Sequence, residues 1–344
     1  MFEGIVTVSS KMKKICQMIE RVAPSDATVL ITGESGTGKE LIARAIHRLS
    51  GRRGAFIGLN CAAIPEDILE SELFGYVKGA FTGATTTREG KFQSAHGGTL
   101  FLDEIGDMSY RLQAKLLRII QEKSVQKVGS STDEKIDVRL VVATNKNLHL
   151  EVKNGTFRED LLYRLDVVHV ELPPLRERRE DIPVLCRHFF DKFCRKYSRS
   201  LKLSPEFVSV LSRYDFRGNV RELQNILERV VLLAEGDMVT VNDLPRHVLE
   251  TVAAQNVADI TLEEMETGDM TPEEQNVNDL FNKITGVWEL DGIDLQRLLQ
   301  DIEKELILRA LNKANGNKSL AAQFLNINRT TLIEKLKRLC KEAA

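Results

Sequence analysis

Apolar residues along the chain fall into two rhythms, and the change between them marks out the architecture. Over residues 10–23, Ile15, Ile19 and Val22 recur at helical spacing, with Ser9 or Ser10 available as N-cap. Short β-type runs follow at Val29-Leu30-Ile31-Thr32, Ala55-Phe56-Ile57-Gly58-Leu59, Thr99-Leu100-Phe101-Leu102, Val138-Arg139-Leu140-Val141-Val142-Ala143 and Val167-Val168-His169-Val170, with helical patterns between most of them. Strands alternating with helices predict an α/β fold with a largely parallel sheet, whose ligands gather at the carboxyl ends of the strands. After Pro173-Pro174 the strand signals stop, and helices are expected over 182–197, 204–213 and 220–235. From about residue 245 to 292 the pattern turns irregular. The acidic cluster Glu263, Glu264, Glu266, Asp269, Glu273 and Glu274 there reads as a solvated linker rather than a recognition site. Helical spacing resumes at 295–311, 319–325 and 329–339. The last two, joined by Asn326-Ile327-Asn328, fit a helix-turn-helix. The expected division is 1–172 α/β core, 173–248 helical lid, 249–291 linker and 292–344 all-α C-terminal domain.

Composition narrows the class without naming a function. A chain of 344 residues, 42% hydrophobic, suits two or three domains with a sizeable core. The formal charge of −2 hides any local basic surface, so charge has to be read segment by segment. The five cysteines, Cys16, Cys61, Cys186, Cys194 and Cys340, show neither zinc-site pairs nor a disulfide framework. Met1-Phe2-Glu3-Gly4 does not open a secretory signal, and no apolar run approaches the roughly 20 residues that span a bilayer. A reduced cytoplasm, with no membrane partner, is the expectation.

Gly33-Glu34-Ser35-Gly36-Thr37-Gly38-Lys39-Glu40 lies between the Val29 strand and the helix-forming Leu41-Ile42-Ala43-Arg44-Ala45. Such a loop curls backbone N–H groups around a polyphosphate, with the helix's positive end behind it and Lys39 reaching the β- and γ-phosphates. Glu40 stands where the hydroxyl residue that ligates magnesium is expected, which leaves one metal ligand in doubt. A plain glycine turn linking strand to helix is the competing reading.

Asp103 and Glu104 close an apolar strand, a placement that suits Mg-ATP hydrolysis. Asp103 would hold the metal, directly or through water, and Glu104 would orient and deprotonate the attacking water. Asn60, ending the preceding strand, is a candidate hydrogen-bond partner for Glu104. Thr144 and Asn145 end another strand on the same edge. Ordinary strand-end turns account for all three equally well from spacing alone. Arg158 and Arg164 stand six positions apart, about 240° around a regular helix, so both reach one phosphate only if the helix ends or bends between them. Otherwise one would serve a neighbouring subunit's nucleotide while the other holds the interface or contacts its own subunit, with a solvated helix face as the competing reading. Gly79-Ala80-Phe81-Thr82-Gly83-Ala84 reads as a mobile loop presenting an aromatic tip to a partner, with a loop whose Phe81 packs back on its own domain as the competing reading.

The phosphate loop, the 79–84 hexapeptide, Gly98-Thr99-Leu100-Phe101-Leu102-Asp103-Glu104 and Gly218-Asn219-Val220-Arg221-Glu222-Leu223 together resemble the bacterial enhancer-binding proteins, AAA+ ATPases that activate sigma-54 RNA polymerase. The resemblance spans almost the whole chain, and the hexapeptide is highly specific to the family. It implies an AAA+ P-loop NTPase core with a parallel sheet and an α-helical lid, ATP and Mg2+ as cofactors, and a dimer assembling into a hexamer or heptamer ring. By resemblance Asp103 and Glu104 are the Walker B pair, Asn60 the switch partner and Thr144 and Asn145 sensor I. Arg158 and Arg164 are then the finger candidates, Arg221 is sensor II, and Ile5 and Val6 line the adenine pocket. Glu40 becomes a family trait. Residues 317–332 resemble a Fis-type helix-turn-helix, in which Arg329, Thr330, Thr331 and Lys335 would face enhancer DNA.

The implied function is a sigma-54-dependent activator that hydrolyses ATP to remodel the closed promoter complex of the sigma-54 RNA polymerase holoenzyme. A DNA-binding regulator that uses nucleotide only as an assembly switch and acts by occupancy is the alternative. A chaperone or helicase predicts neither the hexapeptide nor the Fis-type tail. Family members usually carry an N-terminal sensory domain, often the receiver of a two-component system, whereas this sequence starts almost at the ATPase module.

Overall fold

The computed structural model describes residues 4–252 and, further on, residues 304, 307, 310, 313, 314, 317–325, 327, 328, 331, 332 and 335. The chain forms two compact units, Met1–Val257 and Ala258–Ala344.

In the α/β part of the first unit the strands are β1 (Val29–Thr32), β2 (Phe56–Asn60), β3 (Thr99–Asp103), β4 (Ser124–Gln126), β5 (Asp133–Lys135), β6 (Arg139–Thr144) and β7 (Val168–Glu171). Five of them make a parallel sheet in the order β2-β3-β6-β1-β7, while β4 and β5 form a separate antiparallel hairpin. Alternation explains why this sheet is buried on both faces. Leu30, Leu100, Leu102, Leu140 and Val142 point into one apolar cluster, and Val29, Ile31, Phe101, Val141 and Ala143 into the other.

Helices α1 (Ser10–Val22) and α2 (Lys39–Leu49) cover the second of these faces through Met12, Ile19, Ile42 and Ile46. Helices α3 (Glu66–Phe74), α4 (Lys91–Ser94), α5 (Tyr110–Glu122), α6 (Leu148–Lys153) and α7 (Glu159–Leu165) supply the first. There Leu112, Leu116 and Ile119 of α5 repeat at helical spacing. Arg139, fully buried at the start of β6, donates to the carbonyls of Val22 and Ala23. A cation thus caps the negative end of α1.

The lid is built from α8 (Ile182–Lys196), α9 (Pro205–Arg213) and α10 (Asn219–Leu233) around Phe189, Phe190, Phe193, Phe207, Phe216 and Leu223. Two features depart from the sequence reading. The β pattern does not end at Pro173-Pro174, because Lys202–Leu203 pairs in parallel with Met238–Val239. Two-residue strands carry no period for a sequence to display. The helical region also continues through 252, with Val252 buried in the lid core beyond the expected edge at 248.

In the second unit the helix Lys318–Phe324 buries Ala321 and Ala322 against Ile307, Ala310, Ala314 and Leu332, with Leu325 and Ile327 packed alongside. Thr331 and Lys335 are helical and half-buried. Arg329 and Thr330 lie outside the described residues, as does the expected linker from residue 253 onward.

Candidate active site

Because all five core strands run in parallel, their carboxyl ends share one edge. Register then decides which side chains meet: Asn60 pairs with Asp103 across β2 and β3, and Thr32 pairs with Thr144 of β6 and Glu171 of β7. The phosphate loop leaves β1 at this edge. Gly36 and Gly38 hold φ of +79° and +108°, conformations that side-chain-bearing residues rarely adopt. Gly36 also has no room for a side chain, since a Cβ would sit 2.4 Å from the Gly218 carbonyl of the lid. Thr37 Oγ1 donates to the Glu34 carbonyl at 2.7 Å, tightening the turn.

Lys39 is almost fully buried. Its Nζ donates to the Gly33 carbonyl at 2.8 Å and lies 3.6 Å from Glu104 Oε1. Glu104 occupies a left-handed conformation, φ 52° and ψ 49°, which costs an L-residue about 1–2 kcal/mol. That turn swings its carboxylate back over the sheet edge. Asn145 N–H donates to Glu104 Oε2 at 3.1 Å. The Thr144 hydroxyl, fully buried, accepts from Lys146 N–H at 3.0 Å instead of facing the cleft.

Asn60 is a further departure from expectation. Its Nδ2 lies 3.5 Å from Asp103 Oδ2 rather than on Glu104, and its Oδ1 caps the turn by accepting from Ala62 and Ala63 N–H at 2.9 and 3.1 Å. Burial first, and then the neighbouring Glu104 charge, raise the Asp103 carboxyl above the ordinary aspartate range. Two carboxylates crowded at a half-buried edge, one with only a long bond on Oδ2, suit a hard dication that keeps mostly water and phosphate oxygens. The Glu40 carboxylate, by contrast, accepts from Arg44 Nε and Nη2 at 2.9 and 2.7 Å.

Above the loop, the amino end of α10 closes a cleft of about 310 Å3 lined by Ser35, Lys39, Glu40, Glu104, Val220 and Arg221. Arg221 Nη1 donates to Ser35 Oγ at 2.9 Å, and Val220 N–H to the Gly36 carbonyl at 3.0 Å. The cleft adjoins an apolar pocket of about 170 Å3, with which it shares Gly38, Leu41, Val220 and Gln224. Ile5 and Val6 line that pocket, Ile5 packing with the sheet core and Val6 against the lid. A polar cleft adjoining a mainly apolar pocket suits a nucleoside polyphosphate.

The two arginines turn out not to share a helix. Arg158 is the N-cap of α7, so the 240° separation expected of a regular helix does not apply. Its guanidinium pairs with Asp160 at 2.7 Å and lies over the Tyr110 ring at 5.2 Å, whereas Arg164 is exposed and has no ion-pair partner among the described residues. The 79–84 loop lies apart from the cleft lining. Gly79 N–H donates to the Ala84 carbonyl at 2.9 Å, closing it, and Gly79 and Gly83 both take positive φ in open space. Phe81 is 46% exposed and packs edge-on against Tyr76, so the tip is partly presented and partly seated on its own domain.

Sequence reasoning missed four residues of the lid that tie it to the core: Arg176, Arg178 and Asn219 bond the phosphate loop, and Asp181 bonds the segment before α1. Glu34 pairs with Arg176 Nη2 at 2.6 Å, and Asn219 Nδ2 donates to Glu34 Oε2 at 3.0 Å. Arg178, 3% exposed, donates to the Thr37 carbonyl at 2.9 Å. Asp181, fully buried, accepts from Val8 N–H at 2.6 Å and Ser9 N–H at 2.9 Å. In sequence, Leu175-Arg176-Glu177-Arg178-Arg179-Glu180-Asp181 reads as a solvated charge run. Only Gly218-Asn219, a glycine followed by an αL-tolerant asparagine at a helix start, carried a signal.

A parallel sheet in this order, a phosphate loop after β1, an acidic pair after β3 and a helical lid over the loop define an AAA+ P-loop module. The chain matches three family models: sigma-54 interaction domain over residues 5–171, AAA+ ATPase lid domain over 176–260 and bacterial regulatory protein, Fis family, over 298–339. The transcriptional regulatory protein ZraR of Salmonella typhi is 46% identical over 97% of this chain and 68% of its own length. NtrC of Klebsiella pneumoniae is 44% identical over 98% and 70%. A crystal structure of NtrX from Brucella abortus in complex with ADP aligns with TM-score 0.68 at 35% identity, covering 97% of this chain and 69% of that one. The chain belongs to the bacterial sigma-54-dependent transcriptional activators, as the sequence resemblance implied. No helix among the described residues is long and apolar enough to cross a membrane.

Proposed function

We propose that this chain binds Mg-ATP in the cleft between the phosphate loop and α10, hydrolyses it within a ring of identical subunits, and uses the cycle to convert the sigma-54 RNA polymerase closed complex into an open one. The single observation that carries the reading is Glu104, held by Asn145 N–H and facing Lys39 in a cleft roofed by Arg221. Gly33, Glu34, Ser35, Gly36, Thr37, Gly38, Lys39, Glu40 and Leu41 form the phosphate cradle, and Ile5 and Val6 the base pocket. Asp103 holds Mg2+, directly or through water. Glu104 takes the proton of the attacking water, a role that its neighbours Asn145 and Lys39 keep oriented. ADP in the related NtrX crystal structure supports the nucleotide assignment.

Arg164, exposed on α7, is the candidate to complete a neighbouring subunit's site, with Arg158 holding the surface from which it projects. A dimer assembling to a hexamer or heptamer accounts for such a half-site. Phe81 and its loop engage sigma-54, while Arg329, Thr330, Thr331 and Lys335 contact enhancer DNA in the cytoplasm. Division into core 1–172, lid from 173, linker and C-terminal reader from 292 follows the same reading.

The test is steady-state ATP turnover together with open-complex formation at a sigma-54 promoter by the purified full chain. Phe81→Ala is expected to keep ATP turnover and lose open complexes. Nucleotide binding without steady-state turnover or open complexes in the unsubstituted chain, with or without DNA, would favour the occupancy-switch alternative instead.

A further inference from the structure

Asn219 stands where three pieces of chain meet. It is fully buried, and its φ of +55° is one that asparagine tolerates better than most side-chain-bearing residues. Its Oδ1 accepts from Leu175 N–H at 2.7 Å. Its Nδ2 donates to Glu34 Oε2 and to the Ser35 carbonyl, both at 3.0 Å. The amide therefore uses both donor hydrogens and an acceptor, on partners 185, 184 and 44 positions away in sequence. Arg176, next to Leu175, completes Glu34 with Nη1 at 2.8 Å and Nη2 at 2.6 Å.

A residue that only filled the lid core would need none of these polar contacts. These bonds instead fix the loop at Glu34 and Ser35, while the next two residues, Val220 and Arg221, bond Gly36 and Ser35 and line the cleft. We propose that Asn219 is a positioning residue for nucleotide binding: by clamping Glu34 and Ser35 to the start of α10 it holds the phosphate loop and Arg221 at the spacing a polyphosphate needs. The inference rests on the nucleotide-site reading above and goes beyond it by naming what sets the cleft's width.

Polarity reversal separates positioning from packing. Asn219→Asp keeps the shape and the acceptor for Leu175 but removes both donors and sets a carboxylate against Glu34. Glu34→Gln added to it restores a donor facing the introduced carboxylate. The experiment titrates N-methylanthraniloyl-ADP into the full chain carrying neither, each or both changes, with circular dichroism melts in parallel. Asn219→Asp is expected to raise Kd about tenfold or more, and the double variant to bind at least about threefold tighter than Asn219→Asp alone.

A Kd for Asn219→Asp equal to that of the unsubstituted chain, or losses in the double variant that simply multiply, would overturn the inference. Should Asn219→Asp fail to fold, Glu34→Ala removes the carboxylate that Asn219 Nδ2 and Arg176 both hold, from a partly exposed position, and an unchanged Kd there overturns it. No ADP binding by the unsubstituted chain would instead bring down the nucleotide-site reading itself.

Discussion

The main-chain N–H of Asn145, at the end of β6, donates to Glu104 Oε2 at 3.1 Å across the gap to β3. One carboxylate oxygen is thereby fixed by backbone, and the other faces Lys39 at 3.6 Å.

Removing the carboxylate's charge and basicity without changing the shape tests its role as general base. Glu104→Gln is expected to bind ATP within a few-fold of the unsubstituted chain and to turn it over about a hundredfold more slowly or worse, the usual worth of a positioned general base. Normal turnover would remove Glu104 from the chemistry.

The phosphate loop offers a steric contrast. Gly36→Ala combines an unfavourable φ of +79° with a Cβ 2.4 Å from the Gly218 carbonyl, so α10 must move off the loop. Gly38→Ala carries the backbone penalty alone, about 1–2 kcal/mol, because its nearest contact is 4.0 Å away. Nucleotide titrations should show the larger loss of affinity in Gly36→Ala, and the reverse order would contradict the contact between loop and lid.

Asp181→Ala leaves the N–H groups of Val8 and Ser9 and the nearby Arg178 guanidinium buried without their carboxylate. Removing one member of such a buried charged cluster costs about 3–5 kcal/mol. Thermal unfolding should register it as a large drop in Tm, at about 2–4 °C per kcal/mol for a unit of this size.

Glu34 links stability to pH. Hydrogen bonds from Arg176 first and Asn219 second hold its carboxyl down at about 2, against 4.5 for an unperturbed glutamate. A depressed folded value contributes stability that is complete above 4.5 and is lost as pH falls from there toward 2. The stability gap between the unsubstituted chain and Glu34→Gln, followed by denaturant titration at each pH, should close over that interval. A gap constant with pH would mean that the ion pair contributes no linkage.

Local pattern was enough for much of this protein. The five parallel strands, the loop after β1 and the helices of the lid are each written in contiguous residues, whose period or glycine content acts within a few positions of itself. Their common edge followed from the alternation of strand and helix, so Gly33 through Lys39, Asp103, Glu104 and Asn145 were legible before any contact was known. Partner choice was not. Register set Asn60 beside Asp103, a helix start at Glu159 separated Arg158 from the α7 face that carries Arg164, and Tyr76 took one side of Phe81. Asp181 and Asn219 look like ordinary polar residues in sequence, yet they bond groups 173 and 185 positions away. The sequence by itself thus determined the elements and the edge on which the cleft forms. Only the tertiary structure decided which polar atoms close it, because a buried hydrogen bond depends on where distant segments come to rest rather than on the residues beside it.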